Sequence, residues 1–245
     1  MSKRLYFMSG LTLQADFEPS GSASWTLDDM LANSALAASS GRDVAFIGRA
    51  SADVSGSLAV DIISKAGIDT AGIDRYSDVP APLTLRSGAA ETIYNIPSAE
   101  AFNPVWPRFE DGDVMVWGGY FSLDPTVHSM MLDLLRYAAA RKVKMVYVPY
   151  FSELQVPRVT RVMPLIFDNL ELADTVIATT DIVRTIFGSD DMAGVYVNNI
   201  SFYASRFFAV DSGSCTLDEF TSGGKVTRKA AMSPAEAVAS IVISL

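Results

Sequence analysis

One cysteine, Cys215, and one histidine, His128, leave this 245-residue chain few routes to chemistry. A single thiol allows no intrachain disulfide and no cysteine cage for zinc, and a single imidazole removes most histidine-based metal and triad chemistry. Catalysis would therefore rest on carboxylates, hydroxyls and backbone dipoles. The segment Val210–Gly224 gathers such groups, reading Val-Asp-Ser-Gly-Ser-Cys-Thr-Leu-Asp-Glu-Phe-Thr-Ser-Gly-Gly. Within it Asp218 is either a proton acceptor or the cap of a helix, and Cys215 is either a thiol activated by a helix N-terminus or a small packing residue. Asp53 with Gly56 serves a turn and a helix start or meets a ligand, and Arg49 meets a phosphate or is solvated or ion-paired. The aromatic group Tyr94, Phe102, Trp106, Trp117 and Tyr120 lines a cleft or belongs to the core. Trp117-Gly118-Gly119-Tyr120 closes a strand, which is where open α/β sheets bind ligands. His128 falls in the first turns of an amphipathic helix, where no metal role is expected.

The scaffold that positions these groups is bounded by composition. With 49% hydrophobic residues the chain can bury a substantial core, and a single domain over residues 1–245 is expected. Apolar runs such as Val143–Val148 and Ala237–Leu245 fall short of the roughly 20 residues a membrane span needs. Lys3-Arg4 and the short apolar run after it do not make a signal peptide, so a cytoplasmic protein with no membrane partner is expected. A net charge of -9 with 19 Lys and Arg supplies no basic stripe, which disfavours a nucleic-acid partner. Small-molecule or protein partners remain.

Short β-rich runs alternate with helical patterns, the signature of a parallel sheet covered by helices. Strands are expected at Arg4–Met8, Val44–Ile47, Asp113–Trp117, Val143–Val148 and Thr175–Ala178. Thr26 and Asp29 form a capping box for a helix reaching Ser39, and a second helix over Ser57–Lys65 stops at Gly67. Leu83–Arg86 and Glu91–Ile96 flank Ser87-Gly88-Ala89-Ala90 as a hairpin outside the main sheet. Asp124-Pro125 opens a helix that buries Val127, Met130, Met131, Leu134, Leu135 and Ala138. Asp181–Phe187 is amphipathic, Val195–Val197 and Phe207–Val210 read as a second hairpin, and Ser233-Pro234-Ala235-Glu236 starts the last helix with a capping box.

Five of these segments resemble, in order and spacing, the ribokinase-like or PfkB carbohydrate kinases. They are Val44–Arg49 with Asp53 and Gly56, Ala66–Ile73, the hairpin after Pro80, Ala173–Ala178, and Phe220–Gly223. The resemblance implies a three-layer α/β/α ribokinase-like sheet, mostly parallel, with a small β lid formed by about residues 11–20 and 80–98. It implies a small sugar or nucleoside as partner, ATP and Mg as cofactors if the protein is active, and a possible homodimer through the lid. The family uses a Gly-Ala-Gly-Asp turn at a helix N-terminus as anion hole and base. The matching residues here are Cys215, Thr216 and Leu217 for the anion hole and Asp218 for the base. Substrate contacts are carried over to Asp16, Asn33, Asp53, Tyr94 and Tyr120, with Asp16 equally readable as a loop acid after an edge strand. The family's Asn-x-x-Glu falls on Thr179–Ile182, where Asp181 offers a carboxylate from a different position, and no residue is assigned to a metal. The family's Gly-Gly pair becomes Asp28-Asp29. Two functions follow as expectations, namely ATP-dependent phosphoryl transfer to a sugar hydroxyl with Asp218 as base, or an inactive pseudokinase that senses ligands or associates with proteins. The chain between Gly188 and Gly194 and its end at Leu245 imply that two walls of the family's nucleotide pocket are absent.

Overall fold

A computed structural model describes all residues except 1–2, 77–79, 81, 89, 95–101 and 230–231. Along the chain run β1 (Leu5–Gly10), β2 (Leu13–Phe17), β3 (Ala23–Leu27), α1 (Met30–Ala38), β4 (Val44–Ser51), α2 (Val54–Lys65) and β5 (Asp69–Tyr76). Then come β6 (Leu83–Ser87), β7 (Ala90–Tyr94), β8 (Val114–Gly118), α3 (Pro125–Ala139), β9 (Lys144–Val148), α4 (Met163–Leu170) and β10 (Thr175–Thr179). The C-terminal part holds α5 (Thr180–Phe187), α6 (Met192–Val195), β11 (Arg206–Asp211), β12 (Thr216–Thr221), β13 (Gly224–Lys229) and α7 (Pro234–Ser244).

Nine strands form one sheet in the order β13-β12-β11-β10-β9-β8-β1-β4-β5. Pairing is parallel from β11 to β5, and β12 and β13 close the other edge antiparallel. The period-2 alternation of a strand explains why both faces are apolar: Leu5 and Phe7 of β1 enter one core, and Tyr6 and Met8 enter the other. Helices α1, α2 and α7 cover the first face, with α1 packed on α7, while α3, α4 and α5 cover the second. The expected three-layer, mostly parallel architecture is the observed one. A separate four-stranded sheet, β3-β2-β6-β7, stands beside it, with β2 and β6 parallel.

Three local expectations change. Thr26 caps no helix, because it pairs with Gln14 inside β3, and Asp29 alone caps α1 by accepting from the Ala32 N–H at 2.7 Å. Val195–Val197 is helical, and the antiparallel partner of Phe207–Val210 is β12. The largest change is in the segment first singled out. Asp211 accepts from the Gly213 and Ser214 N–H groups, Cys215 takes φ of +53°, and the chain turns back as β12 with Leu217 and Phe220 buried. Asp218 therefore opens no helix. The hairpin turns the resemblance matched need positive φ at Cys215 and Gly224, the same backbone demand that an anion hole makes.

Candidate functional site

A cavity of about 630 Å³ opens at the C-terminal ends of β1, β4, β8 and β9, under the small sheet. Open parallel sheets place ligand sites at this end because the strands stop there and the following loops diverge. Its floor carries Gly10 at the end of β1, Leu11 and Thr12 after it, and Arg49 near the end of β4; its walls carry Asp28, Asp29 and Asn33 at the start of α1, and Tyr120, Asp124 and Tyr150 after β8 and β9. Thr84 and Arg86 face it from β6, and Ser233, Pro234 and Ala235 close it from the start of α7.

Glycine makes the β8 exit possible. Gly119 has φ of +66°, and a Cβ there would lie 2.7 Å from the Tyr150 ring, so Tyr150 occupies the space that any other residue would fill. The Tyr150 hydroxyl donates to Asp29, and the Ser9 hydroxyl donates to the same carboxylate oxygen at 2.7 Å. Burial raises the Asp29 carboxyl to about 6, against the opposing effect of these hydrogen bonds and of the Ala32 N–H. Burial and the Asp29 charge together push the Tyr150 hydroxyl well above the ordinary phenol value. The neighbouring Asp28 accepts from Thr84 at 2.6 Å and pairs with Arg86 at 3.4 Å, which ties α1 to the small sheet. Asn33 donates to the Leu27 carbonyl at 2.8 Å, and Asp124 caps α3 through the N–H and hydroxyl of Thr126. Burial, then the nearby Asp124 charge, raise the Tyr120 hydroxyl.

At the far wall, α7 begins with Ser233 as N-cap and Pro234 at the first helical position. The Glu236 carboxylate accepts from the Ser233 N–H at 2.8 Å and from its hydroxyl at 2.9 Å, while the Glu236 N–H returns a bond to Ser233 Oγ. These bonds hold the Glu236 carboxyl below its usual value, the Ser233 N–H contributing most. Four residues at a helix N-terminus facing the cavity, with an acid in the fourth position, meet the description that the sequence reading placed on Cys215–Asp218. Proline has no N–H, so this turn offers an oxyanion fewer donors than a glycine turn would.

The expected site residues separate accordingly. Asn33 and Tyr120 line the cavity. Asp16 lies on β2, where its carboxylate accepts from Gln14 at 2.6 Å, and Asp53 caps α2 by accepting from the Gly56 N–H. Tyr94 is exposed at the end of β7. Asp218 sits in mid-strand opposite Ala209 and Thr227, paired with Lys225 at 2.6 Å and accepting from Thr227. It lies four strand positions from β8, about 19 Å across the sheet by strand spacing alone. Cys215 is exposed in the β11–β12 turn, and Thr216 and Leu217 are laddered to Asp211 and Val210, so their backbone is committed to the sheet. Sequence reasoning missed Ser233–Ala235 as a cavity wall, although the Ser-Pro-Ala-Glu signal was read correctly as a cap. It also read Asp29 as a departure from a family pattern, without its hydrogen bond from Tyr150.

Among the described residues no group of three or more His, Cys, Asp or Glu side chains gathers to hold a metal ion. Asp181 is exposed on α5 and paired with Arg184 at 2.8 Å. His128 is buried between the Ser122 carbonyl and Asp168, away from the cavity lining described above. No helix of the described residues is long and apolar enough to cross a membrane.

Comparison with known proteins settles the class. The family model of the pfkB family carbohydrate kinases matches residues 32–206, and the chain belongs to that family. Among solved structures, fructokinase from Xylella fastidiosa superposes with a TM-score of 0.81 at 17% identity, covering 100% of this chain and 82% of the other. Aminoimidazole riboside kinase from Salmonella enterica, complexed with aminoimidazole riboside and an ATP analogue, gives 0.79 at 14% identity over 93% of this chain and 76% of that one. A Vibrio cholerae fructokinase double mutant bound to fructose, ADP and potassium ion gives 0.81 at 14% identity, over 94% and 77%. At such identities the likeness establishes the ribokinase-like α/β fold. No curated protein sequence matches the chain.

Proposed function

We propose that this protein binds a small polyhydroxylated molecule, a sugar or nucleoside, in the cavity beneath its small sheet, and that it is a pseudokinase acting through ligand binding without phosphoryl transfer. The observation that carries this reading is the start of α7. The one acid at the helix N-terminus facing the cavity, Glu236, is folded back onto Ser233 as a helix cap, and Pro234 removes an N–H from the same turn. A base must reach the proton it abstracts, and an anion hole needs free donors. The cavity itself keeps the features of a sugar site. Hydroxyl, amide and carboxylate groups of Thr12, Asn33, Thr84 and Asp124 converge between aromatic and apolar walls. The fructose and riboside complexes of the fold neighbours support the ligand class. In this reading Asp218 has no part in the site, and neither ATP nor Mg is required.

One observation favours the alternative, an ATP-dependent sugar kinase: the α7 N-terminus still faces the cavity, where its dipole favours negative charge. That reading requires Glu236 to leave its cap. A thermal-shift panel of sugars and nucleosides, run with and without Mg-ATP, separates the two. The proposal expects a rise in melting temperature with a panel compound and no further rise from Mg-ATP at millimolar concentration. A shift from Mg-ATP alone would favour the kinase.

A further inference from the structure

Among the described residues, Arg49 is a cavity-lining cation with no carboxylate paired to it. It stands near the end of β4 beside Gly10 of β1, and its side chain is only 6% exposed. Its Nε and Nη2 are buried and have no hydrogen-bond partner among the described residues. Its guanidinium lies over the Tyr76 ring, 4.8 Å from the centroid, a contact that satisfies the face of the group and leaves its N–H edge unmet. The acids around the cavity are engaged elsewhere: Asp28 with Thr84 and Arg86, Asp29 with Ser9 and Tyr150, Asp124 with Thr126. The other arginine of the cavity, Arg86, has its carboxylate partner in Asp28.

A buried guanidinium without an acceptor is costly, and folded proteins retain such a group where something else supplies the missing partner. Nε and Nη2 are adjacent nitrogens along one edge of the guanidinium, and their parallel N–H bonds match two oxygens of a carboxylate or a phosphate. A neutral sugar hydroxyl supplies one acceptor and no charge. We propose that the cavity selects a polyhydroxylated ligand bearing an anionic group, a carboxylate or a phosphate, that seats on Arg49. The long side chain turns its N–H edge from the Tyr76 side toward the open cavity to receive it. This deepens the function proposed above and rests on it, because it names the substituent that the same cavity recognises.

The test is isothermal titration of the full chain with three matched ligand classes: neutral sugars and nucleosides, sugar acids of the same carbon number, and sugar monophosphates. The expected result is binding of a sugar acid or a sugar monophosphate at least about tenfold tighter than its neutral counterpart, the scale of a charge-assisted pair. Which of the two anionic classes binds identifies the group. Arg49→Gln should abolish the preference, and Arg49→Lys, which keeps the charge but loses the fork, should retain the preference at about tenfold lower affinity. Equal or tighter binding of the neutral counterpart overturns the anion proposal and leaves the sugar site standing. A preference that survives Arg49→Gln does the same. Binding from none of the three classes overturns both.

Discussion

Substituting Asp29 by Asn should make the protein more stable at neutral pH, and the gain should vanish in acid. Asp29 is buried, and its carboxyl is raised from 3.8 to about 6, chiefly by that burial. Between these two values the folded protein holds a proton that the unfolded chain has released, so stability falls as pH rises from about 4 through about 6. At 1.36 kcal/mol per pH unit, the charged form costs about 3 kcal/mol above pH 7. Asn is the neutral isostere: it can still accept from the Ala32 N–H and meet Ser9 and Tyr150, so it approximates the protonated acid. For a chain of this length the gain corresponds to a rise of about 6–12 °C in melting temperature at pH 8. Wild type and Asp29→Asn should be melted at half-unit steps from pH 4 to 8 and the difference taken. Acids whose carboxyls are lowered by hydrogen bonds, Asp69, Asp211 and Glu236, lose stability in the opposite direction as pH falls, and they cancel in that difference. Tyr150→Phe removes a hydrogen bond that lowers the Asp29 carboxyl, so the midpoint of the wild-type curve should move up. A difference curve that is flat from pH 4 to 7, or an Asn variant destabilised throughout, would refute the assignment of burial as the dominant cause.

Other substitutions probe the cavity's frame. Gly119→Ala sets a Cβ against the Tyr150 ring at a positive φ and should cost about 2 kcal/mol by urea denaturation, with weakened ligand binding as Tyr150 is displaced. Ser233→Ala removes the N-cap of α7 and should cost about 1 kcal/mol, and by freeing Glu236 it should raise that residue's carboxyl pKa, readable by NMR titration. Asp218→Ala, distant from the cavity, should change stability by less than about 1 kcal/mol and leave ligand affinity unchanged in a titration. The homodimer expected from the small sheet is testable by sedimentation: Phe17, Trp25 and Tyr94 are exposed on it, and Trp25→Glu should shift any dimer toward monomer.

The architecture was legible because its signals are local and periodic. The first strand, expected at Arg4–Met8 and found at Leu5–Gly10, the Asp124-Pro125 start of α3, the Gly67 stop and the capping box at Ser233–Glu236 each occupy a few residues and each form close to where they were expected. Thr26 misled because Ser, Thr and Asp suit a cap wherever they fall, and here the pairing of β2 with β3 took Thr26 first. The error over Asp218 has a physical source: Ser222-Gly223-Gly224 and the strained Cys215 turn satisfy a hairpin with the backbone freedom that also suits an anion hole. Ser233–Glu236 escaped notice as a cavity wall because its glycines are gone and only position in the fold distinguishes it from an ordinary cap. Arg49 had two readings in the sequence, a phosphate contact or a solvated or ion-paired side chain. The choice between them depends on which carboxylates lie nearby, and only the packed cavity shows that Asp28, Asp29 and Asp124 are engaged by other groups.

The measurement that bears most directly on the proposed function is enzyme-coupled ADP release with Mg-ATP and the sugars, sugar acids and nucleosides that shift the melting temperature, comparing wild type with Glu236→Gln. A ligand-binding protein whose helix cap has replaced the catalytic turn should release ADP at the same background rate in both proteins. Turnover with any bound compound that Glu236→Gln abolishes would contradict it.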